Sequence, residues 1–155
     1  AELSSMTATA ENTERKAWMG TLASAPAGRV STLLAVLGER PDHVVLRPAE
    51  VGSVMVRGRA GGTGAPFNLG EVTVSRCSIR LASGEVGHGY VQGRSLVDAE
   101  AAALVDALMQ TARVGEVRAT VLDPIAADRM AKRKARAEKA AATKVEFFTM
   151  VRGED

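Results

Sequence analysis

The sequence predicts an α+β fold: an antiparallel meander sheet of four to five strands, with N-terminal and C-terminal helices packed mainly on one face. Three observations carry this. Apolar residues recur at helical spacing before about residue 40 and again after residue 95. Between those stretches the pattern alternates with period two, as strands do. The connections inside the central stretch are too short for crossover helices, so consecutive strands run antiparallel.

Each element has its own signal. Residues 1–11 are small and polar and are expected to be disordered, leaving one domain over residues 12–155. From Asn12 to Ser24, Trp18 and Leu22 stand at i and i+4, which reads as a short amphipathic helix. Pro26 opens a second helix carrying Val30, Leu33, Leu34 and Leu37, and Gly38 with Pro41 stops it. His43–Arg47 and Ser53–Arg59 are candidate strands, with Val54 and Val56 facing away from Met55, Arg57 and Arg59. Glu71–Leu81 is a longer strand whose residues 73, 75, 77, 79 and 81 share one face. Ser83-Gly84 turns the chain into a further strand, Val86–Gln92. Ser95 and Asp98 form a capping box before an Ala/Leu helix that runs to about Gln110. Asp123-Pro124 is a second start signal, for a helix continuing to about Thr143. Val145–Val151 is β-prone and supplies the candidate fifth strand.

Length and composition bound the function. A chain of 155 residues is of single-domain size and can bury a substantial core. The apolar fraction is 46% but the aromatic fraction only 3%, so Ala, Val and Leu must build that core. A formal charge of +2 with both signs interspersed does not by itself argue for nucleic acid. The single Cys77 cannot form an internal disulfide, which makes the reducing cytoplasm the expected compartment. No apolar run reaches the roughly 18 residues of a membrane span. The polar start, with Glu2, Glu11 and Glu14, differs from the basic-then-apolar order of a signal peptide.

The loop Arg57–Phe67 is the most chemically suggestive stretch. Gly61, Gly62 and Gly64 free the backbone to present N–H groups, with Thr63 among them and Arg57 and Arg59 beside them. A P-loop would need Gly-Lys-Ser/Thr and a following helix, and a dinucleotide fingerprint also needs that helix. Here Ala-Pro-Phe leads into a strand, so the loop is either a plain connection or a ligand or partner contact. His88 lies between Gly87 and Gly89, which permit close backbone approach by a ligand or a neighbouring chain. Asp106, set among Leu104, Val105, Ala107 and Leu108, reads as a buried partner for an arginine rather than as a catalytic group. Two histidines and one cysteine are too few for a dedicated zinc site, and no nucleophile has a base-and-orienter context. The cations of Lys132–Lys139 fall around much of a helix and read as a solvated face, with nucleic-acid binding as the lesser alternative. Phe147, Phe148 and Met150, with Arg152 behind them, must dock on the domain or form a partner patch.

Taken together these segments resemble the PhnG subunit family of bacterial carbon–phosphorus lyase. Arg59-Ala-Gly-Gly-Thr-Gly64 with Phe67, Gly70, Thr73 and Arg76 is similar to one signature of that family. Val91-Gln-Gly-Arg94, followed by Ala99, Ala103, Asp106-Ala-Leu108 and Gln110, is similar to a second. Asp128-Arg-Met-Ala131, Ala135-Arg-Ala-Glu138 and the closing Phe147-Phe-Thr-Met-Val-Arg-Gly153 match a third. The resemblance covers nearly everything from Trp18 onward.

The resemblance implies a subunit of a core complex with PhnH, PhnI and PhnJ that lets bacteria use alkylphosphonates as a phosphorus source. The first committed step in that system couples methylphosphonate to ATP, releases adenine and yields ribose 1-methylphosphonate 5-triphosphate. It implies that PhnI is the nucleosidase-like chain, that PhnL is required functionally, and that the later iron–sulfur and S-adenosylmethionine chemistry belongs to PhnJ. No catalytic residue and no cofactor is thereby assigned to this chain. Its expected contribution is assembly, with Phe147, Phe148, Met150 and Arg152 at the interface. The alternative is co-catalytic: Arg57, Arg59, Arg76 and Arg94, the loop Gly61-Gly62-Thr63-Gly64 and His88 form one wall of a triphosphate or phosphonate site completed by other chains.

Overall fold

The computed structural model describes residues 2–59 and 64–153, and for residues 2–8, 68 and 151–153 the backbone alone. The elements are α1 (Glu2–Ala23), α2 (Arg29–Val36), β1 (His43–Arg59), β2 (Pro66–Leu81), β3 (Val86–Gln92), α3 (Leu96–Leu108), α4 (Val114–Val117) and α5 (Asp123–Gly153). The strands form an antiparallel meander in the order β1-β2-β3. The α+β class and the helical ends are therefore as the sequence predicts.

Four local expectations change. The runs His43–Arg47 and Ser53–Arg59 belong to one strand, because β1 passes through Pro48 and Ala49 on register shifts rather than turning. The first helix begins at Glu2, well before Asn12, where its amphipathic pattern starts. Val145–Val151 continues α5 and adds no strand. Among the described residues no sheet edge lies alongside it, its side chains to Met150 being exposed, and local helix propagation outweighs its β-propensity. Asp123 likewise is no free helix start, since the chain is already helical from Val114 through a π-helical turn at Arg118–Leu122. That wider turn accommodates Pro124, which lacks an N–H and crowds the preceding turn.

The core lies between α3 and the β2–β3 half of the sheet. Cys77, Ile79 and Leu81 of β2 face it, as the period-two reading requires, and Trp18, Leu22, Val30, Leu33 and Leu34 close it from α1 and α2. Burial pushes the Cys77 thiol up, helped by the Glu100 charge, so this cysteine is inert and packs as a small apolar group.

Helix α3 approaches β3 at backbone distance. A Cβ on Gly87 would overlap the Ala103 carbonyl oxygen and lie 2.8 Å from the Ala107 nitrogen. A Cβ on Gly89 would overlap the Ala99 carbonyl oxygen and lie 2.7 Å from the Ala103 nitrogen. Ala99, Ala103 and Ala107 recur every four residues, so one smooth helix stripe meets the two glycines. These glycines serve the interior rather than a ligand or a neighbouring chain.

Asp106 projects from the same helix and is fully buried. It accepts hydrogen bonds from Arg15 Nη2 at 2.8 Å, Arg15 Nε at 3.2 Å, Trp18 Nε1 at 2.8 Å and the His88 backbone N–H at 2.8 Å. The arginine expected for Asp106 is thus Arg15, and their hydrogen bond raises the Arg15 pKa above its ordinary value. The network also closes the outer edge of β3, because Arg15 and Gln110 both donate to the Val86 carbonyl.

Asp98 has a comparable role one turn into α3. Ser95 accepts the Asp98 N–H at 3.2 Å, the N-cap the sequence announces. The Asp98 carboxylate itself accepts the N–H groups of Gly28 at 2.6 Å and Ser31 at 3.1 Å, capping α2 from a different element. Burial alone would raise its pKa, but hydrogen bonds from Gly28, Ser31 and Ser95 outweigh it and hold the carboxyl below its ordinary value.

Three expectations follow for stability. Gly89→Ala should cost about 3 kcal/mol or more in urea denaturation, since helix and sheet must separate to admit the methyl group. Gly20→Ala, in α1 with open space around it, should instead stabilise by about 0.5–1 kcal/mol. Because the folded-state pKa of Asp98 is depressed, its contribution is complete above the unfolded value of about 3.9 and is lost as pH falls through the folded value. Urea midpoints measured against pH should therefore fall in acid for the wild type. Asp98→Asn should be less stable near neutrality and show a flatter acid limb.

Candidate functional site

With α3 covering one face of β2 and β3, the other face is left open. Arg76, Ser78, His88 and Tyr90 project from it, and Ser78 Oγ lies 2.8 Å from His88 Nδ1 across the strand pair. Arg76 Nη2 is 3.8 Å from Glu50 Oε1, and its guanidinium passes over Gly52, where a Cβ would stand 3.2 Å away. Its Nε is buried without a hydrogen-bond partner among the described residues. His88 and Tyr90 also line a shallow, mainly apolar groove of about 690 Å³ against Arg15, Lys16 and Met19 of α1.

Beyond β3 the sheet narrows to a two-stranded arm. Pairing with β3 ends at Val74–Gln92, while β1 and β2 stay paired out to Arg59–Pro66. Met55, Val56, Phe67 and Leu69 are exposed on this arm. Arg57 and Arg59 stand at its far end, both exposed and neither paired with a carboxylate among the described residues. Gly64 is described there, whereas Gly61, Gly62 and Thr63 lie outside the described residues.

Within this chain the candidate phosphate residues are not gathered. Arg57 pairs with Asn68 and Arg76 lies eight positions along β2, about 27 Å at the strand rise. Arg94 is exposed on the connection between β3 and α3, at the end of β3 opposite Val86. Arg76 and His88 share the open sheet face; Arg57 and Arg59 form a separate cationic tip.

Helix α5 is the second projecting element. Its 31 residues rise about 46 Å. Ile125 is its last buried residue among those described, and every described side chain from Ala127 to Met150 is exposed. Phe147, Phe148 and Met150 are 64%, 56% and 73% exposed, so of the two fates open to them, docking at home or forming a patch, the structure has the patch. The Phe147 and Phe148 rings meet edge to face at 6.2 Å, and Lys144 Nζ is 6.0 Å from the Phe148 ring centre. The side chain of Arg152 lies outside the described residues.

The base of α5 holds a feature that the sequence reading passed over. Arg129, Lys132, Arg133 and Arg136 stand at i, i+3, i+4 and i+7 and line one cleft of about 580 Å³. Ser24 and Pro26 at the α1–α2 corner, Gln92 at the end of β3, and Ile125 and Asp128 of α5 complete its walls. Counting the cations from Lys132 spreads them around the helix. Starting at Arg129 aligns four of them on one stripe.

No helix among the described residues is long and apolar enough to cross a membrane. A small α+β body that extends an exposed apolar arm and an apolar-tipped helix has the features of a subunit-type protein, with surface suited to contact with other chains. Comparison with known proteins identifies the family. The family model described as "Phosphonate metabolism protein PhnG" matches residues 13–153, and this chain belongs to that family. It is also 45% identical over 142 residues to the alpha-D-ribose 1-methylphosphonate 5-triphosphate synthase subunit PhnG of Rhizobium meliloti (strain 1021), covering 92% of this chain and 91% of that one.

If the α5 patch is surface rather than core, its removal should leave the fold intact. The double substitution F147D/F148D should change unfolding free energy by no more than about 1 kcal/mol in urea denaturation, two exposed sites at about 0.5 kcal/mol each.

Proposed function

We propose that this chain is the PhnG subunit of a carbon–phosphorus lyase core complex. In this reading it supports ATP-dependent formation of ribose 1-methylphosphonate 5-triphosphate, with release of adenine, in the catabolism of alkylphosphonates. Its main contribution is assembly with PhnI, PhnH and PhnJ in the cytoplasm, with PhnL acting in the same pathway and the nucleosidase chemistry carried by PhnI. The observation that carries the reading is α5, which leaves its domain after Ile125 and presents Phe147, Phe148 and Met150 to solvent. Helices in proteins draw most of their stability from packing, so a helix this long with no core to rest on is best explained by a partner that covers it. The family match and the name of the relative agree with that explanation.

A second reading gives the arm a direct role. Arg57 and Arg59 stand exposed and without carboxylate partners at its tip, whereas Arg47 and Arg76 both face Glu50. Free guanidinium groups on a projecting arm suit bidentate contact with a triphosphate or phosphonate held in another chain.

One co-purification experiment tests both. The wild-type chain should bring down PhnI and PhnJ, and F147D/F148D should reduce recovery at least tenfold. A wild-type chain that stays a stable monomer in their presence would sink the assembly reading. Arg59→Ala should leave recovery unchanged while lowering turnover of the reconstituted complex at least tenfold. Loss of recovery with Arg59→Ala would make the arm an assembly contact only.

A further inference from the structure

We propose that the cleft at the base of α5 is a binding site for a polyphosphate anion, separate from the arginine tip of the β1–β2 arm. Four cations line one wall: Arg129, Lys132, Arg133 and Arg136. None of them is paired with a carboxylate among the described residues. The one acidic group in the cleft, Asp128, is engaged by Arg29 at 3.0 Å, so it does not neutralise the wall.

Like charges at i, i+3 and i+4 on a helix repel, and four such neighbouring pairs on one exposed stripe disfavour the helix. A bound anion reverses that sign. The stripe runs over seven residue steps, about 10 Å along the helix axis, which matches an extended chain of linked phosphate groups rather than a single phosphate. The opposite walls favour a small ligand over an acidic protein surface. The space is a cleft closed by the α1–α2 corner and the end of β3, and its volume of about 580 Å³ falls in the range of small-ligand sites. Pro26 and Ile125 offer apolar contact to a sugar or base, and the exposed Gln92 amide can donate to an oxygen.

A nucleoside triphosphate and free polyphosphate share this chemistry. The inference leans on the proposed function for its choice of a triphosphate, since the related chain is named as a subunit of a 5-triphosphate synthase. The cations are exposed, so binding should weaken as salt rises.

Calorimetric titration of the full chain with ATP, inorganic tripolyphosphate and adenosine tests the site. ATP and tripolyphosphate should compete for one site, and adenosine should not bind. Tighter binding of ATP than of tripolyphosphate would identify a nucleotide, and equal binding a free polyphosphate. R129E and R133E should each weaken binding at least tenfold. K134E, on the same helix but outside the cleft, should change it less than twofold. Absence of ATP and tripolyphosphate binding to the wild-type chain overturns the proposal, as does an equal loss in K134E. Co-purification with PhnI and PhnJ separates the two readings. R133E that keeps its partners but loses ATP supports an anion site independent of assembly. R133E that loses its partners, with a wild-type chain that never bound ATP, makes the cleft a protein contact and overturns the site alone.

Discussion

The contact on which the rest of this structure depends is the one between α3 and β3. Two glycines meet a stripe of three alanines, and helix and strand come to backbone distance. That proximity lets the Asp106 carboxylate accept the His88 N–H directly. The same carboxylate then gathers Arg15 and Trp18, which docks α1 across the edge of β3. A buried carboxylate is costly unless its lone pairs are filled, and here four donors fill them. Close packing and charge satisfaction are a single device: with bulkier residues at 87 and 89 the acid would lose its backbone donor.

This interior organises what is left outside. Because α3 takes one face of β2 and β3, the opposite face keeps Arg76, Ser78, His88 and Tyr90 in the open. β1 and β2 run past β3 and α5 runs past the core, each carrying apolar side chains that stay exposed among the described residues. The two projections differ in chemistry. The arm is tipped with arginines, while α5 begins with a cationic cleft and ends in an aromatic pair. These extremities carry the exposed apolar and cationic surface of a chain whose relative is named as a synthase subunit.

Legibility in the sequence followed the range of the interaction involved. The hairpin at Ser83-Gly84, the Ser95 cap, the stop at Gly38 and the inward face of β2 rest on neighbours in sequence, and all stand where local pattern puts them. Burial of Asp106 beside an arginine was also legible, because a lone acid in an apolar run has few other ways to be satisfied. That the arginine would be Arg15, 91 positions away, was not. The cationic cleft was half legible: spacing alone aligns Arg129 with Arg136, but its opposite wall comes from the α1–α2 corner and the end of β3. Val145–Val151 misled for a related reason, since β-prone residues form a strand only where a sheet edge is available to pair.

By itself, the sequence determined the fold class, the strand–turn–helix order from Glu71 to Leu108, the faces that turn inward and the membership of the PhnG family. These depend on periodicity, capping and turn chemistry, which act over a few residues, and on motifs that recur in order along the chain. Only the tertiary structure decided that Gly87 and Gly89 admit a helix rather than a ligand. It alone set Arg57 and Arg59 apart from Arg76 and Arg94, and left Phe147 and Phe148 exposed at the far end of α5. Those outcomes depend on which distant surfaces meet, and a one-dimensional pattern carries the preference of each residue but not the identity of its neighbour across the core.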